Sequence, residues 1–286
     1  MTKKKVLSKL NPLFLKGIAH RGLHNEQFTE NGMKAFENAI KHGVPLEFDL
    51  HLTKDNQLVV CHDEDLKRTT GKEGIIEYLT LKEIKENYHL LDGGEIPTFE
   101  EVLDLVHEQV PIVIELKVYE KNYKPLAKRF KEVLMPKVKD KKNYMIISFD
   151  PRSLWPLKRL GIIRSLLVAK SHIYVYNYFR WTIETVDLEQ VLFDEKRIQK
   201  YHKRHLVNAW TIESEEQLYK ILPYVDTVTF QHMDERVVNA MLSNKEAMIA
   251  VKNMRDISEK NGNSNMALDE INEEISKARK EKKTSH

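Results

Sequence analysis

Short β-rich runs alternate with longer amphipathic stretches along most of this chain, and that alternation excludes most folds. A strand–helix–strand unit sets its two strands parallel, because the helix carries the chain back along the sheet. Runs of strand character bounded by turn residues fall at 17–20, 46–52, 112–116, 144–149, 164–169, 188–193, 206–211 and 227–231. Eight such strands predict an α/β fold of the closed (β/α)8, or TIM, barrel type. A barrel of this kind commonly takes about 250 residues, and the chain has 286. A further run at 57–61 follows the second strand across the turn-forming pair Asp55-Asn56. It reads as a local β-hairpin that opens a loop insertion after the second barrel strand.

Helix signals fill the gaps between strands. Glu30-Asn31 precede Met33, Phe36 and Ile40, apolar residues three and four apart, and Gly43 closes the run. Thr98 with Glu101 three residues on is a capping box, and Val102, Leu105 and Val106 give that helix an inward face. Ser214 with Gln217 repeats the device. From about Ser243 the pattern thins: Asn261-Gly262-Asn263-Ser264-Asn265 breaks the chain, and a Lys- and Glu-rich stretch follows. The expected layout is a basic lead over 1–15, one barrel over 16–242, and a charged tail over 243–286, helical or disordered.

Composition narrows the function classes. A formal net charge of +3, much of it in runs at the two ends, points to a solvated surface and no nucleic-acid partner. The single cysteine, Cys61, excludes an internal disulfide and a multi-cysteine zinc site. No run of about 18 apolar residues stands in the chain. The basic N-terminus is too broken for a signal sequence, so a cytoplasmic enzyme without stable membrane insertion is expected.

The chemistry stands on the predicted strand ends. His20 and Arg21 end the first strand. Glu47 and Asp49 lie two apart on the second and so share a face, as do Glu115 and Lys117 at the end of the third. Polar pairs inside apolar runs are expensive in a barrel interior unless paired, metal-bound or facing water. Strand C-terminal ends are also where barrels build their active sites. Three converging carboxylates suit one hard divalent cation, Mg²⁺ or Ca²⁺, better than Zn²⁺. His20 and His62 can move protons near neutral pH, and Arg21 and Lys117 can hold a phosphate. Taken singly, each signal also fits a bland reading: a structural histidine, a solvent-facing strand edge, or a surface salt bridge.

The ordered series Ile18-Ala19-His20-Arg21-Gly22, Glu30-Asn31, Leu46-Glu47-Phe48-Asp49, Cys61-His62-Asp63, Arg68-Thr69-Thr70-Gly71, Ile96-Pro97-Thr98-Phe99-Glu100 and Glu115-Leu116-Lys117 resembles the glycerophosphodiester phosphodiesterases. Weaker echoes at Ser148-Phe149 and Ala209-Trp210-Thr211 extend the resemblance to about Met241. The resemblance implies metal-dependent hydrolysis of a small-molecule glycerophosphodiester to glycerol 3-phosphate and an alcohol. It implies His20 and His62 as general acid and base, and Glu47, Asp49 and Glu115 as metal ligands. Arg21 and Lys117 would contact the phosphate and Trp210 the glycerol backbone. The neighbouring glycerol hydroxyl would attack phosphorus first, giving a cyclic phosphate that water opens.

Two features depart from the family. Its eighth strand commonly ends in a Thr-Asp-x-Pro-like turn, where this chain has Thr229-Phe230-Gln231-His232-Met233-Asp234, its acid absent or displaced to Asp234. The aromatic segment 174–181 has no counterpart and reads as a packed amphipathic helix, a lid or a point of transient lipid contact. That segment favours an alternative substrate, a lysophospholipid or similar lipid phosphodiester cut on the same barrel. A binding module built on a silent barrel predicts losses among His20, Glu47, Asp49, His62 and Glu115, and all five are present.

Overall fold

The computed structural model describes residues 1–179 and 182–250. Eight parallel strands close on themselves: β1 (Ile18–Ala19), β2 (Leu46–Leu52), β4 (Ile112–Leu116), β5 (Tyr144–Ser148), β6 (Ile163–Val168), β7 (Thr185–Glu189), β8 (Val207–Ile212) and β9 (Thr227–Phe230). β1 closes the ring by pairing with β2, Ala19 opposite Leu46, and with β9, Ile18 opposite Thr229. The antiparallel β3 (Leu58–Val60) folds back on the end of β2, as the Asp55-Asn56 turn predicts. The insertion that follows has its own small core, in which Leu66, Ile76, Ile84 and Tyr88 pack on Val59. Cys61 is buried there, and burial pushes its thiol up to about 12.

Outward-facing residues fix the helices and thereby aim the inward ones. On β2, Phe48 meets Phe36 of the helix Met33–His42 and Phe99 of the helix Phe99–Val106, at 5.6 and 6.0 Å between ring centroids. Phe99 stacks in turn on Phe130 at 5.5 Å. With Phe48 pinned outside, the strand's two-residue period turns Glu47 and Asp49 into the barrel. The Thr98–Glu101 capping box forms, but the buried face of that helix is Phe99, Val102, Leu103 and Val106, with Leu105 at its margin.

The sixth barrel strand lies three residues earlier than its sequence suggests. It runs over Thr185–Glu189, whereas Gln190–Asp194 form a 3₁₀ turn that buries Leu192 and Phe193. The strand's inward positions are polar, Thr185 and Asp187, and both are buried. A polar interior hides a strand from a search for apolar runs.

The floor of the barrel is closed from the N-terminal side. Val6, Leu10 and Phe14 are buried against Val113, Met145, Ile163 and Leu206, and Thr227 Oγ1 donates to Phe14 O at 2.5 Å. Lys3 pairs with Asp226 and lies 3.0 Å from His202 Nε2. A second unit begins at Asn244, of which residues 245–250 are helical. The predicted charged tail otherwise lies outside the described residues. Among the described residues no helix is long and apolar enough to cross a membrane.

Candidate active site

The parallel register of β2 and β4 sets Asp49 beside Glu115. One oxygen from each of Glu47, Asp49 and Glu115 lies within 4.8 Å of the others, and all three residues are buried. Carboxylates this close repel one another, so the surroundings must supply positive charge. Arg21, just past β1, donates its N–H to Glu47 Oε2 at 3.1 Å and lies 3.6 Å from Asp49. Lys117, just past β4, lies 3.3 Å from Asp49 and 3.0 Å from Glu115. Asn31 donates to Asp49 Oδ2 at 2.9 Å. Arg21 and Asn31 both have left-handed backbone, φ 55° and 57°, and Asn31 N–H donates to Arg21 O at 3.0 Å, which folds this loop over the acids.

That charge is still insufficient. Burial, with Asp49 and Glu115 alongside, pushes Glu47 well above the usual carboxylate range, and burial pushes Glu115 up to about 7. Burial works against the charge of Asp49 too, but Lys117, His62 and Arg21 hold its carboxyl well below the usual range. Glu47 Oε1 has no hydrogen-bond partner, and Asp49 Oδ1 has only the Lys117 ammonium beside it. An all-oxygen set with an unpartnered buried Glu47 Oε1 and a deficit of positive charge fits one hard divalent cation, which Glu47, Asp49 and Glu115 could hold.

Both predicted histidines lie near Asp49, whose charge opposes the loss of proton affinity in each. Burial and then Arg21 lower His20 to about 3, and burial lowers His62 as well, with Asp49 and Asp63 opposing it. His62 Nδ1 is 2.6 Å from Asp63 Oδ1. Arg68 ties the two loops together, 2.6 Å from Asp63 and 2.7 Å from Glu30, which also accepts from Arg21 at 2.7 Å. Burial alone would raise the Glu30 carboxyl, yet the bonds to Arg68 and the charge of Arg21 bring it down to about 2. His51, third in the alternation after Glu47 and Asp49, lies between Glu77 at 2.6 Å and the backbone oxygen of His62 at 3.1 Å, supporting the loop that carries His62.

Two unlike cavities open at this end. One, of about 710 Å³, runs from Glu115 and Lys117 along Leu116, Phe149, Leu167 and Phe179. The other, of about 650 Å³, is lined by His20, Arg21, Glu30, Arg68, Glu213 and Gln231. Trp210 reaches neither wall directly. Its indole N–H donates to Asp187 O at 3.0 Å, and its ring meets Phe149 edge-on at 5.5 Å, so it supports the first cavity from below. The aromatic segment forms the helix Ile173–Phe179, with Tyr174 and Tyr178 exposed at the surface and Phe179 against Trp155. Arg180 and Trp181 lie outside the described residues.

The displaced acid is not Asp234. That residue accepts from the N–H and guanidinium of Arg236, at 2.8 and 2.6 Å, beside the helix Glu235–Ser243. Gln231 occupies the strand end instead, 2.6 Å from His20 Nδ1, and donates to Glu213 at 2.5 Å. Sequence reading passed over Glu213, because only the closed sheet brings the residue after β8 to the end of β9. It gave Glu30-Asn31 a part in shaping the loop, whereas Asn31 holds Asp49 itself.

A glycerophosphodiester phosphodiesterase of Caldanaerobacter subterraneus subsp. tengcongensis is 36% identical over 156 residues, 50% of this chain and 62% of that relative. A human lysophospholipase D is 38% identical over 132 residues, 42% of this chain and 40% of that relative. Each alignment therefore spans less than two thirds of the relative's own length. A crystal structure of a glycerophosphodiester phosphodiesterase from Parabacteroides distasonis matches with a TM-score of 0.67 and 25% identity, over 80% of this chain and 97% of that one. The profile of the Glycerophosphoryl diester phosphodiesterase family matches residues 20–235, from the end of β1 to the start of the last barrel helix. The chain belongs to the Glycerophosphoryl diester phosphodiesterase family.

Proposed function

We propose that this protein hydrolyses glycerophosphodiesters to glycerol 3-phosphate and an alcohol, with one divalent cation, Mg²⁺ or Ca²⁺, held by Glu47, Asp49 and Glu115. The observation that carries the reading is the buried carboxylate triad with His20, His62, Arg21 and Lys117 gathered at one rim. A cation there would neutralise charge on the phosphoryl oxygens. Arg21 and Lys117 would orient the phosphate through fixed positive charge. His20 is neutral and so free to take the proton from the attacking glycerol hydroxyl, although burial and Arg21 weaken it as a base. His62, backed by Asp63, is suited to give one to the departing alcohol. Opening of the cyclic phosphate by water would use the same pair in reversed roles.

A second reading has a specific observation behind it. The 710 Å³ cavity next to Glu115 and Lys117 has an apolar side, where an acyl chain would bury against Phe149, Phe179 and Tyr174. The exposed Tyr174 and Tyr178 beside it suit brief contact with a lipid surface. Lysophospholipids are therefore the alternative substrate.

Release of glycerol 3-phosphate from glycerophosphocholine, with Mg²⁺, with Ca²⁺ and with chelator, tests the first reading. Metal-dependent release abolished by His20→Ala and by His62→Ala is the expected result. Turnover of lysophosphatidylcholine without turnover of glycerophosphocholine would establish the second reading in its place.

A further inference from the structure

We infer that Glu213, acting through Gln231, fixes the proton of His20 on Nδ1 and so keeps its Nε2 lone pair for the substrate. The inference rests on the proposed role of His20. It adds two positioning residues that no motif marks.

Acceptor and donor chemistry forces the direction of the whole chain. A carboxylate can only accept. Glu213 Oε1 lies 2.5 Å from Gln231 Nε2, so the amide turns its NH₂ toward Glu213 and its oxygen the other way. That oxygen, Oε1, lies 2.6 Å from His20 Nδ1. An amide oxygen also only accepts, so Nδ1 must carry the proton. On a neutral imidazole Nε2 is then bare, the form a general base needs. Without Glu213 no carboxylate holds the amide in this orientation, and its two ends have nearly the same shape. Turned round, it would donate to Nδ1 and move the proton to Nε2, leaving His20 unable to accept one.

The sheet and the next helix hold Glu213 where this chain needs it. Gln231 N–H donates to Ile212 O at 3.0 Å, which binds the two strand ends together. Glu213 N–H donates to Gln217 Oε1 at 2.8 Å, and Gln217 N–H donates to Ser214 Oγ at 3.3 Å. The other groups that bear on this corner are Arg21 and Asp49 beside His20, and His24, which also reaches Gln231 and meets His232 edge-on at 5.3 Å. His24 touches the same amide, but among the described residues Glu213 is the one carboxylate bonded to it, and only a carboxylate must face the NH₂ end. Glu213 itself is exposed, so replacing it leaves the core intact.

The test uses the full chain with metal and glycerophosphocholine. Glu213→Ala should lower kcat by about tenfold, the scale of a lost supporting hydrogen bond, and leave KM within about twofold. Adding Gln231→Glu to that variant should restore kcat, because a carboxylate at 231 accepts directly from Nδ1. Nitrogen-15 spectra of labelled histidine, with His20 assigned by its loss in His20→Asn, read the tautomer without any turnover. Wild type should show the proton on Nδ1, Glu213→Ala a mixture, and the double variant Nδ1 again. The inference is overturned by a proton on Nε2 in wild type, by an unchanged tautomer in Glu213→Ala, by a rise in KM alone, or by a loss of kcat that the double variant does not repair. If wild type cleaves no glycerophosphodiester, the functional reading fails while the spectra still decide the relay.

Discussion

Asp187 links the polar interior of the barrel to a measurable pH effect. It is buried on β7, accepting from Ser165 Oγ at 2.5 Å and from Asn208 Nδ2 at 2.9 Å, and Asn208 also donates to Thr229 Oγ1 at 2.9 Å. Burial raises its carboxyl from 3.8 to about 6, against the pull of the two hydrogen bonds. The folded protein thus holds this proton more tightly than the unfolded chain. The added stability is fully present below about pH 4 and is lost as pH rises through about 6. The difference between 3.8 and about 6 corresponds to about 3 kcal/mol. Asp187→Asn removes the titration, and the network can accept it. Asn208 Oδ1 has no partner now, and a half-turn of that amide would present Oδ1 to both the new side chain and the Thr229 hydroxyl. Urea unfolding of both proteins across that range gives the stability of wild type minus that of the variant. This difference should fall with rising pH by about 3 kcal/mol, most of it between about pH 4 and 6. A difference that stays flat would refute the assignment of a buried, proton-holding carboxyl to Asp187.

Two further outcomes are expected. Mg²⁺ or Ca²⁺ at about a hundred times its dissociation constant should add about 2.7 kcal/mol of stability and raise Tm by roughly 5–10 °C. Glu115→Gln should largely remove that rise in a melting experiment, and an undiminished rise would place the ion elsewhere. Phe14→Ala should lower stability by about 3–5 kcal/mol, because the ring is fully buried in the barrel floor. Its urea midpoint should fall with the slope unchanged, and a loss under about 1 kcal/mol would show that the floor does not need this ring.

Much of this was legible in the sequence wherever apolar and polar residues kept a strict period. β2 shows the reason: Phe48 and Leu50 must face the helices, so Glu47 and Asp49 must face inward. His51 followed the same two-residue step and could have been read as a support of the site. β7 was misplaced because Asp187 and Thr185 fill an interior where apolar residues are the usual occupants. The relay from Glu213 was hidden for another reason. It depends on the lateral neighbour relation of β8 and β9, and on an amide whose polarity only its partners define. The part of Asn31 depends likewise on a backbone turn at positive φ, which the residue type permits without requiring.

The floor closed by Val6, Leu10 and Phe14 has a kinetic corollary. A vessel sealed at its base fills and empties over one rim, and here the rim has two unlike lanes. Groups passing over the rim would then sort by polarity, a phosphate along the wall of Arg21 and Arg68 and an acyl chain along the wall of Phe149 and Phe179. Product inhibition should then separate by lane, each product competing with the portion of substrate that shares its wall.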